Sequence, residues 1–167
     1  VNVFNLFFLL IVNPLTAVLL LLGTMPAVDL THLHITDPLV VIVVEIAGLL
    51  LYTAGFFLMA WALLTLAKTY QLGGMAPRPE DRIITGGPYR LIRHPMYAAA
   101  LCISVGLTLL VQSWILICVF LLYLALILRL IPLEEERLLR AYGEQYESYR
   151  RRTRALVFFL PAPAGHN

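Results

Sequence analysis

The feature that most constrains this chain is a set of apolar runs separated by polar punctuation. They cover about Val3 to Leu22, Leu39 to Ala67, Tyr97 to Val111 and Trp114 to Ile131. A bilayer core takes about 20 consecutive apolar residues as a helix. The second run exceeds that, so it is expected to tilt or to project beyond the core. Composition agrees: 60% of the 167 residues are hydrophobic and 13% are charged, against about 45–50% apolar in soluble domains. The expected fold class is all-α, a polytopic bundle of about four transmembrane helices in a single domain.

Punctuation sets the connections. Asn13-Pro14 interrupts the first run, which neighbouring helices can tolerate as a kink. That run lacks a basic leader and a small-residue cleavage pattern, so it is expected to stay as a span. Gln112-Ser113 is short enough to make the last two runs an antiparallel hairpin. Pro132 is expected to end the fourth run and to start a separate amphipathic helix. Leu133, Leu138, Leu139, Tyr142, Tyr146 and Tyr149 form its apolar stripe, and Gly143 is placed to end or bend it. The Pro/Ala/Gly-rich end from Pro161 is expected to fray. The expected boundaries are 1–67 for two spans, 68–96 for a polar loop, 97–131 for the hairpin and 132–160 for the last helix.

The charges orient this bundle. All twelve Lys and Arg residues lie either between the second and third runs or from Arg129 onward, and 23–38 has none. The positive-inside rule then puts 68–96, 129–167 and the N-terminus in the cytoplasm. Cys102 and Cys118 sit in apolar runs without metal or disulfide spacing. Asp29, His32, His34 and Asp37 are too loosely spaced, in the outer loop, to suggest a metal site. Glu45 lies near the outer end of the second run, where a packing or interfacial role is expected. Neither a metal nor a nucleic-acid partner is expected; the partners are the bilayer and a lipophilic molecule.

The hairpin should bring two polar elements together. One is "GGPYRLIRHPMYAAA", Gly86 to Ala100; the other is Glu134-Glu135-Glu136. Three glutamates after a proline suit the first turn of a helix, where the dipole favours them. They also suit a cationic ligand, which would offset their mutual repulsion. Arg90 and Arg93 beside a span ordinarily anchor topology at lipid phosphates, and Tyr89 and Tyr97 suit an interfacial belt. Gly86-Gly87-Pro88 is a turn signal and not a phosphate loop.

These residues have a familiar order. Gly87, Tyr89, Arg93, His94, Pro95 and Tyr97, then Glu134-Glu135, then Tyr142-Gly143, Tyr146 and Tyr149 resemble the integral-membrane methyltransferases. That family includes isoprenylcysteine carboxyl methyltransferases and phospholipid methyltransferases. The resemblance covers about Asp81 to Arg154. It implies S-adenosylmethionine as methyl donor. The implied donor contacts are Arg82, Ile83, Ile84, Tyr89, His94, Pro95, Met96, Tyr97, Glu134 and Glu135. Asp81 stands where the family usually carries His. The resemblance also implies an acceptor-side arginine, for which Arg129 is the candidate at a spacing one residue longer.

The residue types suit that chemistry independently. A sulfonium donor presents a cation, an ammonium, a carboxylate and an aromatic base. Carboxylates, tyrosines and a histidine can answer each of these. The expected reaction is methyl transfer to a lipophilic acceptor: a prenylcysteine-like carboxylate, a phospholipid or a thiol. Two other readings fit a polar cluster at a membrane surface. One is a nicotinamide-dependent membrane reductase resembling sterol reductases, although three carboxylates would repel a dinucleotide phosphate. The other is a non-catalytic scaffold.

Overall fold

In the computed structural model, the described residues are Ile11, Leu15, Leu19, 33–66 and 83–156. The first expected span otherwise lies outside them, as do Asp81, Arg82 and the tail beyond Leu156. The described residues form four α-helices and a 3-10 turn: α1 Pro38–Leu66, the turn Gly87–Arg90, α2 Pro95–Val111, α3 Trp114–Tyr142 and α4 Glu144–Arg152.

Each helix start has a local cause. Asp37 accepts a hydrogen bond from Leu39 N–H at 2.8 Å, and Pro38 occupies the opening position, where its missing N–H costs nothing. Pro95 opens α2 in the same way. Gln112 ends α2 in the left-handed conformation (φ 52°, ψ 46°), Ser113 returns to extended backbone, and α3 begins at Trp114. The expected two-residue hairpin connection is therefore present.

α1 and α3 are each 29 residues long and apolar enough to cross a membrane. At about 1.5 Å per residue each is roughly 43 Å long, more than the ~30 Å hydrocarbon core. Their large side chains point outward: Leu39, Leu50, Phe57 and Leu64 of α1 are 66–75% exposed. A helix apolar all round with its side chains exposed suits lipid, not water. Glu45 is also exposed on α1.

Helix α2 is the buried centre. A Cβ on Gly106 would lie 2.5 Å from the Tyr52 amide nitrogen and 2.7 Å from the Gly48 carbonyl oxygen. Backbone therefore rides on backbone where α1 crosses α2, the close approach that small residues permit between helices in lipid. The other face of α2 packs on α3. Tyr97, Ala100 and Ile103 share a core with Tyr123, Ile127 and Ile131, spaced four apart on α3.

One expectation is overturned. Pro132 does not end a helix; α3 runs through it to Tyr142. Proline removes one intrahelical hydrogen bond, that to the Leu128 carbonyl. Both Leu128 and Pro132 are exposed, so the ring needs no room inside the bundle. Glu134, Glu135 and Glu136 thus sit well inside a helix, without the free N–H groups of a first turn. Side chains must stabilise their charge instead.

The break comes at Gly143. Its φ of 53° with ψ of −128° ends α3 and starts α4, a conformation that side-chain-bearing residues rarely adopt. α4 is shorter than the expected helix. It ends at Arg152, and 153–156 continue as an extended strap. Ile92 and Arg154 form a parallel bridge. Ala155 and Leu156 then bury in the core, at 1% and 2% exposure.

Candidate functional site

The site forms where α2 begins, beneath α4 and beside the last turns of α3. The turn Gly87–Arg90 folds the chain back, with Leu91 and Ile92 N–H both donating to the Pro88 carbonyl. The next two amides are taken by the strap: Arg93 N–H donates to Arg154 O at 2.8 Å, and His94 N–H to Ala155 O at 3.1 Å. His94 caps α2 with its backbone only, so its ring is available for the glutamates opposite.

Arg93 faces inward. Its Nε donates to Glu135 Oε1 at 2.8 Å. Its Nη1 donates to Arg150 O at 3.0 Å and also to Thr153 O. One guanidinium thus ties α3, α4 and the strap to the start of α2, a use of its rigid fork that lysine cannot match. The lipid-anchor reading of Arg93 is overturned: it is 8% exposed. Arg90, by contrast, is exposed, as an anchor would be.

The two glutamates differ. Glu135 is enclosed, with a side chain 13% exposed, and His94 Nε2 lies 3.2 Å from the oxygen that Arg93 holds. Burial opposes its charge, but hydrogen bonds from His94 and Arg93, with the positive charge of Arg93, outweigh it and hold the carboxyl down to about 2. Glu134 is more open, its side chain 36% exposed, with His94 Nδ1 4.0 Å away. It accepts a hydrogen bond from Tyr97 Oη at 2.8 Å. His94 therefore stands between the two carboxylates, its ring 5.6 Å from that of Tyr97.

α4 closes the cluster with two tyrosines three residues apart. Tyr149 Oη donates to the Tyr89 carbonyl at 2.6 Å. Burial pushes its hydroxyl up to about 12, although Thr153 and Arg93 oppose the shift. Tyr146 packs edge-on to Tyr149, with centroids 6.1 Å apart. It is 1% exposed, and its hydroxyl has no hydrogen-bond partner among the described residues.

Of the residues expected to hold a donor, Tyr89, His94, Tyr97, Glu134 and Glu135 come together here. Pro95 and Met96 are buried in the first turn of α2. Ile83 and Ile84 are half-buried in the chain leading to the turn. Arg82 lies outside the described residues. Arg129 is exposed. It sits two residues from buried Ile127, about 200° around α3 at roughly 100° per residue, so it does not join this cluster.

Sequence reading missed Arg93, Tyr146 and Tyr149 as site residues. The tyrosine spacing was legible, but without α4 and the strap nothing said what it would face. Among the described residues no three His, Cys, Asp or Glu side chains group as metal ligands.

The family model described as phospholipid methyltransferase matches residues 43–145. The cobalt-zinc-cadmium resistance protein CzcN of Cupriavidus metallidurans is 30% identical over 106 residues, which is 64% of this chain and 48% of that protein. A solved structure of the eukaryotic intramembrane Ras methyltransferase ICMT (isoprenylcysteine carboxyl methyltransferase) is similar in fold. Its TM-score is 0.65 at 22% identity, over 88% of this chain and 51% of that one. The chain spans about half the length of each of these two proteins.

Proposed function

The chain belongs to the phospholipid methyltransferase family, and on that footing we propose that it methylates a lipophilic acceptor with S-adenosylmethionine at the cytoplasmic face of the membrane. The observation that carries this reading is the unequal pair of glutamates. Glu135 is committed to Arg93 and His94, while Glu134 keeps a half-open carboxylate beside Tyr97 and His94. A half-open carboxylate beside aromatic groups suits a ligand that is cationic, amphiphilic and aromatic at one end. Two neighbouring carboxylates would repel the phosphates of a dinucleotide, which disfavours the reductase reading.

The donor supplies an electrophilic methyl group; the acceptor's lone pair forms the new bond as the carbon–sulfur pair returns to sulfur. The residues of this chain contribute position and dryness. Glu134 accepts from the ligand's ammonium. Tyr97 fixes that carboxylate from α2. His94, braced between both glutamates, holds their spacing. Glu135 with Arg93 keeps the C-terminal strap closed over the start of α2. The exposed apolar lengths of α1 and α3 support entry of the acceptor sideways from lipid, and the grouping of Lys and Arg supports a cytoplasmic site.

Titration calorimetry with S-adenosylhomocysteine tests the reading on detergent-purified protein. Wild type is expected to bind, and His94→Ala and Glu134→Ala to lose binding. Normal binding by both variants would overturn the site. No binding by wild type, together with nicotinamide oxidation over an enone, would restore the reductase reading.

A further inference from the structure

The Tyr146 hydroxyl is the polar group in this region that the fold itself does not use. It is almost fully enclosed, at 1% exposure, and finds no partner among the described residues. Interiors rarely leave such a group unsatisfied, because it forfeits its bonds to water and gains none in return. Its neighbour provides the contrast. Tyr149, one turn on, spends its hydroxyl on the Tyr89 carbonyl and so has a structural role.

Tyr146 is near enough to Glu135, Glu134 and Arg93 to feel their charge. Its ring meets that of Tyr149 edge-on at 6.1 Å. Burial raises its hydroxyl, and Glu135 and Glu134 reinforce this while Arg93 opposes it, so the group stays protonated. A protonated hydroxyl can both donate and accept. Arg93 and His94 both hold Glu135 at Oε1, and the Tyr146 hydroxyl makes no bond to its other oxygen.

We propose that Tyr146 is a ligand-contacting residue whose hydroxyl bonds the amino-acid end of the methyl donor. That end offers an ammonium to a lone pair and a carboxylate to an O–H, matching both unused capacities. Glu134 would accept from the same ammonium. This inference rests on the proposed methyltransferase function and adds a contact from α4 to those expected from α2 and α3. It also explains the place of Gly143, whose turn delivers α4, and with it Tyr146, to the cluster.

Tyr146→Phe tests it, because only the hydroxyl is lost. The ligand-free variant is expected to melt at or above the wild-type temperature, since no bond is broken. Its affinity for S-adenosylhomocysteine is expected to fall about tenfold, or ~1.4 kcal/mol. Tyr149→Phe should show the reverse order, with a lower ligand-free melting temperature first. Competition by 5′-methylthioadenosine, which lacks the amino-acid end, should be equally effective against wild type and Tyr146→Phe.

Unchanged S-adenosylhomocysteine affinity in Tyr146→Phe, with wild type binding normally, would overturn the contact and leave the proposed function standing. A ligand-free melting temperature well below wild type would overturn it in favour of a structural bond. An equal loss against 5′-methylthioadenosine would overturn the assignment to the amino-acid end. Failure of wild type to bind would count against the methyltransferase reading itself.

Discussion

The two ends of α2 are held by opposite means. At Gly106 the helix meets α1 backbone to backbone, and the contact depends on side chains that are absent. At His94 it is held by charge: Arg93, Glu135, the carbonyls of α4 and the amides facing the strap. Lipid gives helices no hydrophobic reason to associate, so the membrane end relies on shape. The polar end lies where the chain leaves the apolar region, and there ions can be arranged at modest desolvation. One end should therefore be sensitive to volume and indifferent to pH, and the other the reverse.

Gly106→Val would break the first end with the largest effect. The atoms in its path are the Tyr52 amide nitrogen and the Gly48 carbonyl oxygen, which cannot rotate away as a side chain could. Separating the helices would disturb their whole contact, and a loss above about 4 kcal/mol is expected. Size exclusion in detergent should show aggregation or no recoverable protein at any pH. A normal elution profile and melting temperature would sink the claim that shape holds this end.

The polar end is sharpened by comparing Glu135→Gln with Glu134→Gln. The first leaves the buried Arg93 guanidinium without its counter-charge, at a cost of about 3 kcal/mol. Its pH dependence has a definite sign. The folded carboxyl is held at about 2, against an ordinary 4.5, so its stabilisation is fully present above about 4.5 and drains as pH falls toward 2. Melting temperature in Glu135→Gln should be lower at neutral pH and should lose that acid slope. Glu134→Gln should keep both melting temperature and slope while losing S-adenosylhomocysteine affinity. Equal effects of the two substitutions on stability would show that the glutamates do not divide structure and binding between them.

The same contrast explains what could be read from the chain beforehand. The bounds of α1, α2 and the hairpin turn were legible because composition and local rules decide them. α1 begins at Pro38 and α2 at Pro95, and Gln112-Ser113 separates α2 from α3, close to the bounds of the apolar runs. The meeting of His94 and Tyr97 with the glutamates followed from the hairpin alone. Pro132 misled because the cost of a helical proline depends on whether its side of the helix is packed, and here it is exposed. The strap was invisible because four residues carry no periodicity, and their bonds run to backbone some sixty positions away. Without the strap Arg93 had no inward partners, so its ordinary surface role was the natural expectation. Arg129, expected on the acceptor side, is exposed on α3, away from the cluster around Glu135.

The smallest expected effect comes from an ion pair that resembles Arg93–Glu135 only on paper. Arg140 and Glu136 bond one turn apart on α3, with side chains 75% and 55% exposed. Water already solvates both charges, and ordering two long side chains offsets most of the attraction. Arg140→Ala is expected to change stability by less than about 0.5 kcal/mol, leave the acid slope intact and leave S-adenosylhomocysteine binding unchanged. Thermal melts at two salt concentrations are the check, since a pair that mattered would weaken as salt rises. A loss approaching that of Glu135→Gln would mean that the number of ion pairs near the membrane surface holds this end. Indifference would mean that enclosure does, with Arg93 decisive because α4 and the strap shut water away from it.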